Sequence, residues 1–298
     1  MRNVNAGKTR RIAEAAALAL GFMLCTALAL EAQTSQPKQS SQQQSAQQTT
    51  PAGQAQPPAG GKNAPAEQPP VNKEEEDAYK AFFALTNQQN TEVISQGEEF
   101  LSKYPSSRYR SSVYSRLVTA YLNTHEPAKV VATGEKAISE NPDNLNVLAI
   151  VSTVIPRTVD PRSLDADQKL SEAEKFARHA IEVANNMTKP EGTTDEQFAG
   201  VKNEMLGMAH YGLGLVNYMR GNSAGSVDEL IQASKLDPTP EPLLFYLLGK
   251  GEMKLQKFAD AQAAFDRCAK AQWDPQWQNR CKQGAQEAKQ AAAAPAKP

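Results

Sequence analysis

Beyond residue 73, apolar and polar positions follow a helical period. Val93, Ile94, Gly97, Phe100, Leu101 and Tyr104 recur at spacings of three and four, the stripe of an amphipathic helix. The same spacing joins Ala173, Phe176, Ala177, Ala180, Ile181 and Ala184, which predicts a helix over Leu170–Asn186 with Ser171 as its N-cap. Sustained alternation of β-branched residues is missing, and no Asn-Gly turn joins two such runs, so strands are not expected. The pattern predicts an all-α domain.

The helices also repeat. VISQGEEFLSKYP at 93–105 and VVATGEKAISENP at 130–142 share Val, Gly, Glu, Ser and Pro at an offset of 37 residues. At an offset of 35, Tyr211, Leu213 and Gly214 answer to Tyr246, Leu248 and Gly249, and Leu230 to Phe265. Two such close periods point to helical hairpins stacked as a solenoid, each too small to bury its apolar face alone. Between these units the pattern is irregular. A helix is predicted from Leu145 to Val154, then an insertion over about 155–169 in which Pro156 and Pro161 forbid a continuous helix. A second long turn follows over Met187–Asp195, with Pro190 and Gly192.

Leu213-Gly214 followed by Ser226, Leu230, Ala233 and Pro238 resembles the tetratricopeptide-repeat (TPR) family, whose unit is about 34 residues long. Tyr114, Leu117, Tyr121, Val130, Ala137 and Pro142 form another such set, with Gly134 where the family has a bulky residue. Phe245, Leu248, Gly249, Ala261, Phe265 and Cys268 form a third. The chain departs from the pattern at the family's tyrosine, where Asn217 stands with Tyr218 one step later. The resemblance covers about Glu74 to Gln290. It implies a right-handed superhelical solenoid of antiparallel helical hairpins, about five units plus a C-terminal capping helix from Pro275 to about Gln290. Trp273 and Trp277 are expected to cover apolar surface at the start of that cap.

The resemblance further implies a non-catalytic interaction scaffold that takes a peptide or helix of a partner protein in its concave groove. On the groove side it places Met208, Tyr211, Leu215, Tyr218 and Met219 of one first helix, and Leu243, Tyr246, Lys250 and Met253 of the next. The matching positions of the second repeat are Ser112, Ser115, Thr119 and Leu122, so the groove is expected to turn from polar to apolar along the stack. The alternatives are that these residues are core, or that the ligand is a cell-wall glycan or the role one of envelope assembly.

The flanking segments bear on location. Arg2, Lys8, Arg10 and Arg11 precede an apolar stretch from Ile12 to Leu30 interrupted only by Glu14. Ala27-Leu28-Ala29 is an A-x-A cleavage site and Leu30-Glu31-Ala32 a second candidate, so cleavage is expected after Ala29 or Ala32. Residues 1–32 therefore read as a signal peptide of an exported, periplasmic or extracellular protein; the alternative is an inner-membrane anchor through residues 12–30. Residues 33–72, rich in Gln, Ser, Pro, Ala and Gly, read as a disordered linker, 73–290 as the repeat domain, and 291–298 as a frayed tail.

Charge and chemistry narrow the function. The whole chain carries a net charge of -1, and removal of residues 1–32 leaves 28 basic against 31 acidic side chains. Nothing in that balance attracts nucleic acid or anionic lipid. His125, His179 and His210 have no partner at a metal-binding or catalytic spacing, and no HExxH, CxxC, GxSxG or phosphate loop occurs. Gly207, Gly212 and Gly214 fall inside a predicted helix, which excludes a dinucleotide loop. No cofactor or metal is expected, although Asp160, Asp165 and Asp167 cluster in the insertion. Cys268 and Cys281 are an even pair that a short antiparallel turn would bring together, as a disulfide or as two buried thiols.

Overall fold

A computed structural model of the chain describes residues 72–86 and 88–294. The predicted signal peptide, the linker up to residue 71 and the last four residues of the tail lie outside the described residues. Among the described residues there are eleven helices and no strand. They are α1 (Lys73–Ala84), α2 (Asn90–Lys103), α3 (Arg110–Asn123), α4 (Pro127–Glu140), α5 (Leu145–Thr158), α6 (Ala166–Asn186), α7 (Asp195–Met219), α8 (Ser223–Leu236), α9 (Pro242–Lys254), α10 (Phe258–Lys270) and α11 (Pro275–Ala293). Each helix packs on its neighbours in chain order, as five antiparallel hairpins with α11 laid against α10 and, more lightly, α9. This is the expected all-α solenoid with its terminal cap.

Local chemistry starts the helices. Asn72 caps α1 by accepting from the Glu74 N–H, and three glutamates follow in the first turn, where the helix dipole favours negative charge. Thr194 and Gln197 form a reciprocal capping box at α7. Proline opens α4, α9 and α11, where its missing N–H has no intrahelical partner to lose. Three hairpin turns share one closure. A residue with left-handed backbone, His125 (φ 59°), Gly221 (φ 76°) or Gln256 (φ 59°), ends the first helix. The next residue then donates back five positions, from Glu126 to Tyr121, from Asn222 to Asn217 and from Lys257 to Glu252, each at 2.9 Å.

The first hairpin is held mainly by what reaches back to it. Arg116 of α3 donates to the carbonyls of Phe82 and Leu85 at the end of α1, and its guanidinium lies over the Phe82 and Phe83 rings. Tyr79 stacks on Tyr109 with centroids 3.9 Å apart.

The middle departs from the sequence expectation. α5 runs on to Thr158, through Pro156, and α6 begins at Ala166, so the insertion shrinks to residues 159–165. Asp165 holds the N-cap position of α6, whereas Ser171 lies within the helix and accepts from Arg220. Pro156 is tolerated because it costs a single backbone bond near the helix end: the Ser152 carbonyl loses its i+4 donor. α7 closes over that carbonyl at Gly212, where a Cβ would stand 2.9 Å from the Ser152 oxygen and 2.6 Å from its Oγ. Every residue from Val147 to Pro156 is buried, as befits a helix that is apolar on all sides. α4, α6 and α7 surround it. At the far end α11 extends to Ala293, three residues beyond the expected limit of the domain.

Candidate functional site

The residues assigned to the groove sit on α7 and α9, and burial divides them. Tyr211 and Leu215 retain 7% and 5% of their exposure and belong to the core shared by α7, α8 and α9. They are corrected from contact residues to core. Arg157, from the end of α5, lies 5.1 Å over the Tyr211 ring, and Glu241 accepts from the Tyr211 hydroxyl at 3.3 Å. Burial accordingly pushes the Tyr211 hydroxyl pKa up. Met208, Tyr218, Met219, Leu243, Tyr246, Lys250 and Met253 are half-buried, with one side in a hydrophobic cluster or against a neighbouring helix and the other toward solvent.

In the second repeat Ser112 is exposed, while Ser115, Thr119 and Leu122 are half-buried. The Asn144 amide donates to the Ser115 hydroxyl.

The half-buried aromatic side chains of the C-terminal hairpin connect. Tyr246 meets Trp277 edge-on at 5.2 Å, and Trp277 stacks on Trp273 at 5.4 Å. The Tyr218 hydroxyl is pushed up by burial and by the neighbouring Tyr246. Tyr246, Lys250 and Lys254 follow at intervals of four and so share one face of α9. Both tryptophans are half-buried, and Trp273 packs against the core of the last two hairpins. Below this face lies Glu252, 5% exposed, with its Oε2 unpartnered. It occupies the position of Tyr121 in the second hairpin, where a hydroxyl donates to Glu98, and of Asn217 in the fourth. Burial first, then the charge of Asp260, pushes its carboxyl up to about 7, against an opposing effect from Lys257.

No protein-family profile and no curated protein sequence matches the chain. Solved structures do show similarity. A thermophilic TPR protein of Thermus thermophilus is 16% identical, aligned over 70% of this chain and 98% of its own with a TM-score of 0.46. PilF of Pseudomonas aeruginosa is 15% identical over 74% and 90%, with a TM-score of 0.48. PilW, a type IV pilus biogenesis factor, is 13% identical over 75% and 92%, with a TM-score of 0.47. At these identities and scores the likeness carries no functional inference.

Cations seated on aromatic rings divide along the stack, a distinction that sequence spacing did not disclose. In α1 to α7 every such cation also donates to a protein acceptor: Lys103 to Glu74, Arg108 to the Tyr109 hydroxyl, Arg110 to Glu140, Arg116 to carbonyls, Lys129 to Glu126 and Arg157 to Glu241. In α9 to α11, Lys254 lies 5.8 Å from the Tyr218 centroid, Arg267 4.0 Å from that of Phe245, and Arg280 4.7 Å from that of Trp277. None of these three donates to an acceptor among the described residues. Composition runs the same way: residues 72–241 hold 17 Lys and Arg against 25 Asp and Glu, and residues 242–294 hold eight against five.

The remaining candidates are accounted for by structure. His125 forms a turn, His179 lies 2.8 Å from Asp143, and His210 lies 2.6 Å from Glu229. Asp160, Asp165 and Asp167 pair with Arg162, Lys169 and Arg220. Among the described residues no cluster of His, Cys, Asp and Glu could hold a metal, and no helix is long and apolar enough to cross a membrane. The sulfurs of Cys268 and Cys281 meet at 1.91 Å, joining α10 to α11 with both side chains fully buried.

Proposed function

We propose that the chain is an exported, non-catalytic scaffold that binds another protein along the first-helix face of its last two hairpins. The observation that carries this reading is the run of half-buried Tyr218, Met219, Leu243, Tyr246 and Met253 on α7 and α9, set on a stack of hairpins. Tyrosine joins apolar area to a hydroxyl, and methionine repacks easily, so such a face suits a peptide or helix. The glycan alternative has less support, because the Trp277 ring already contacts Trp273, Tyr246 and Arg280. Export rests on the order of basic, apolar and A-x-A residues in 1–32.

A photoreactive side chain at Met219 or Met253, with another at the exposed Gln232 of α8 as control, tests the face in the native cell. Capture of the same protein from both face positions, and not from Gln232, is expected. Equal capture from Gln232, or none from the face, would overturn the reading. An intact mass beginning at Leu30 or Gln33 is expected for the exported form, and retention of Met1 would favour the anchor.

A further inference from the structure

We propose that the α9 and α11 face binds an acidic segment of the partner, with Lys250, Lys254 and Arg280 receiving its carboxylates beside the Tyr218, Tyr246 and Trp277 rings. This rests on the protein-binding reading and names the chemistry of the partner. Three observations converge on it.

Lys254 and Arg280 are held on ring faces, and neither donates to an acceptor among the described residues. A guanidinium lying over a ring keeps its in-plane N–H donors pointing outward, in the fork that matches a carboxylate. Lys250 is half-buried between Tyr246 and Lys254 on the same helix face and likewise forms no ion pair among the described residues. Cations of the earlier helices that rest on rings donate to the protein's own acceptors, so aromatic seating by itself does not keep a cation free.

Local charge points the same way. Residues 242–294 carry eight basic and five acidic side chains, and one of those five is Glu252, whose buried carboxyl leaves still less negative charge at the surface. An acidic segment is therefore attracted to this end of the stack and repelled by residues 72–241, which carry 25 acidic against 17 basic side chains. The aromatic strip adds what a purely electrostatic patch lacks. Its half-buried rings offer apolar contact between the charges, so the bound segment should combine acidic and apolar side chains.

The test uses the purified exported protein and two labelled peptides of equal length, one alternating glutamate with leucine and one alternating lysine with leucine, followed by fluorescence anisotropy. The glutamate peptide is expected to bind at least about tenfold more tightly, and its affinity to fall as salt rises. Joint substitution Lys250→Glu, Lys254→Glu and Arg280→Glu is expected to weaken it by about tenfold or more. The same charge change at exposed Lys136, Lys175 and Lys235 should leave binding within about twofold. Trp277→Leu, which keeps the charge and removes the seat of Arg280, is expected to weaken binding by about threefold. Circular dichroism confirms that each variant is folded.

Equal binding of the two peptides, or equal loss in the remote triple variant, would overturn the proposal. So would binding of an anionic polysaccharide at the strength of the glutamate peptide. Undiminished crosslinking of the native partner by the Lys250, Lys254 and Arg280 variant would reject the acidic-segment proposal and leave the protein-binding reading standing. Failure of the unaltered protein to capture any partner would remove the reading beneath it.

Discussion

Replacing Glu252 by glutamine should stabilise the protein above about pH 4.5, and increasingly so toward neutral pH. The carboxyl has an ordinary value of 4.5 and is pushed up to about 7 in the folded chain, chiefly by burial. Between those two values the folded chain holds a proton that the unfolded chain has lost, so the stability contributed by this group falls as pH rises through the window. At about 1.36 kcal/mol per pH unit, the loss reaches about 3 kcal/mol by pH 8. Glutamine mimics the protonated acid in shape and charge. At pH 4.5 and below, Glu252→Gln and the parent should therefore unfold at nearly the same urea concentration, and by pH 8 the variant should be more stable by about 2 to 3 kcal/mol. Trp273 and Trp277 lie at the junction of α10 and α11 and report unfolding of this region by fluorescence. Stability curves that run parallel from pH 4.5 to 8, or a variant weaker at pH 8, would refute the reasoning, since either means that the buried carboxylate is not held against a desolvation cost.

Four further outcomes are expected. Arg116→Ala removes the donors to the last carbonyls of α1, and should cost about 2 kcal/mol and raise amide exchange in α1 before any other helix. Glycine in place of His125 or Gln256, both held at φ 59°, should raise the unfolding free energy by about 1 kcal/mol each, read as a shifted denaturation midpoint. Gly134→Ala, whose Cβ would stand 2.3 Å from a Val151 methyl, should lower it by about 1 to 3 kcal/mol. The purified protein, denatured without reductant, should show no free thiol at Cys268 or Cys281, and reduction should destabilise the α10–α11 cap by about 3 kcal/mol for their separation of 13 residues, measured by near-ultraviolet circular dichroism.

The hairpins could be read from the chain because the small-large-small pattern and terminal prolines record contacts within about 35 residues. What escaped depends on contacts across longer separations. Pro156 reads as a helix stop, and nothing nearby in sequence says that α7 will bring Gly212 against the Ser152 carbonyl. Tyr211 takes a groove position by its repeat, yet Arg157 of α5 covers it. The start of α7 at Asp195 precedes the repeat match at Gly207, because its first three turns have no counterpart in the other units. For the candidate face, the excess of Lys and Arg after residue 241 could be counted in advance. The seat of Lys254 on Tyr218 required the packing of α9 against α7, whereas Arg280 and Trp277 stand three residues apart on α11.

The complete burial of α5 also limits how this array can evolve. A solenoid of interchangeable units can gain or lose a repeat anywhere, since each added unit offers its neighbours the surface it replaces. Here Val147 to Pro156 fit only between α4, α6 and α7, with Gly212 matched to a single carbonyl. A duplication within this middle would leave one copy of that apolar helix facing water. Gain or loss of a repeat is therefore expected to cost less stability at either end than within the central three hairpins.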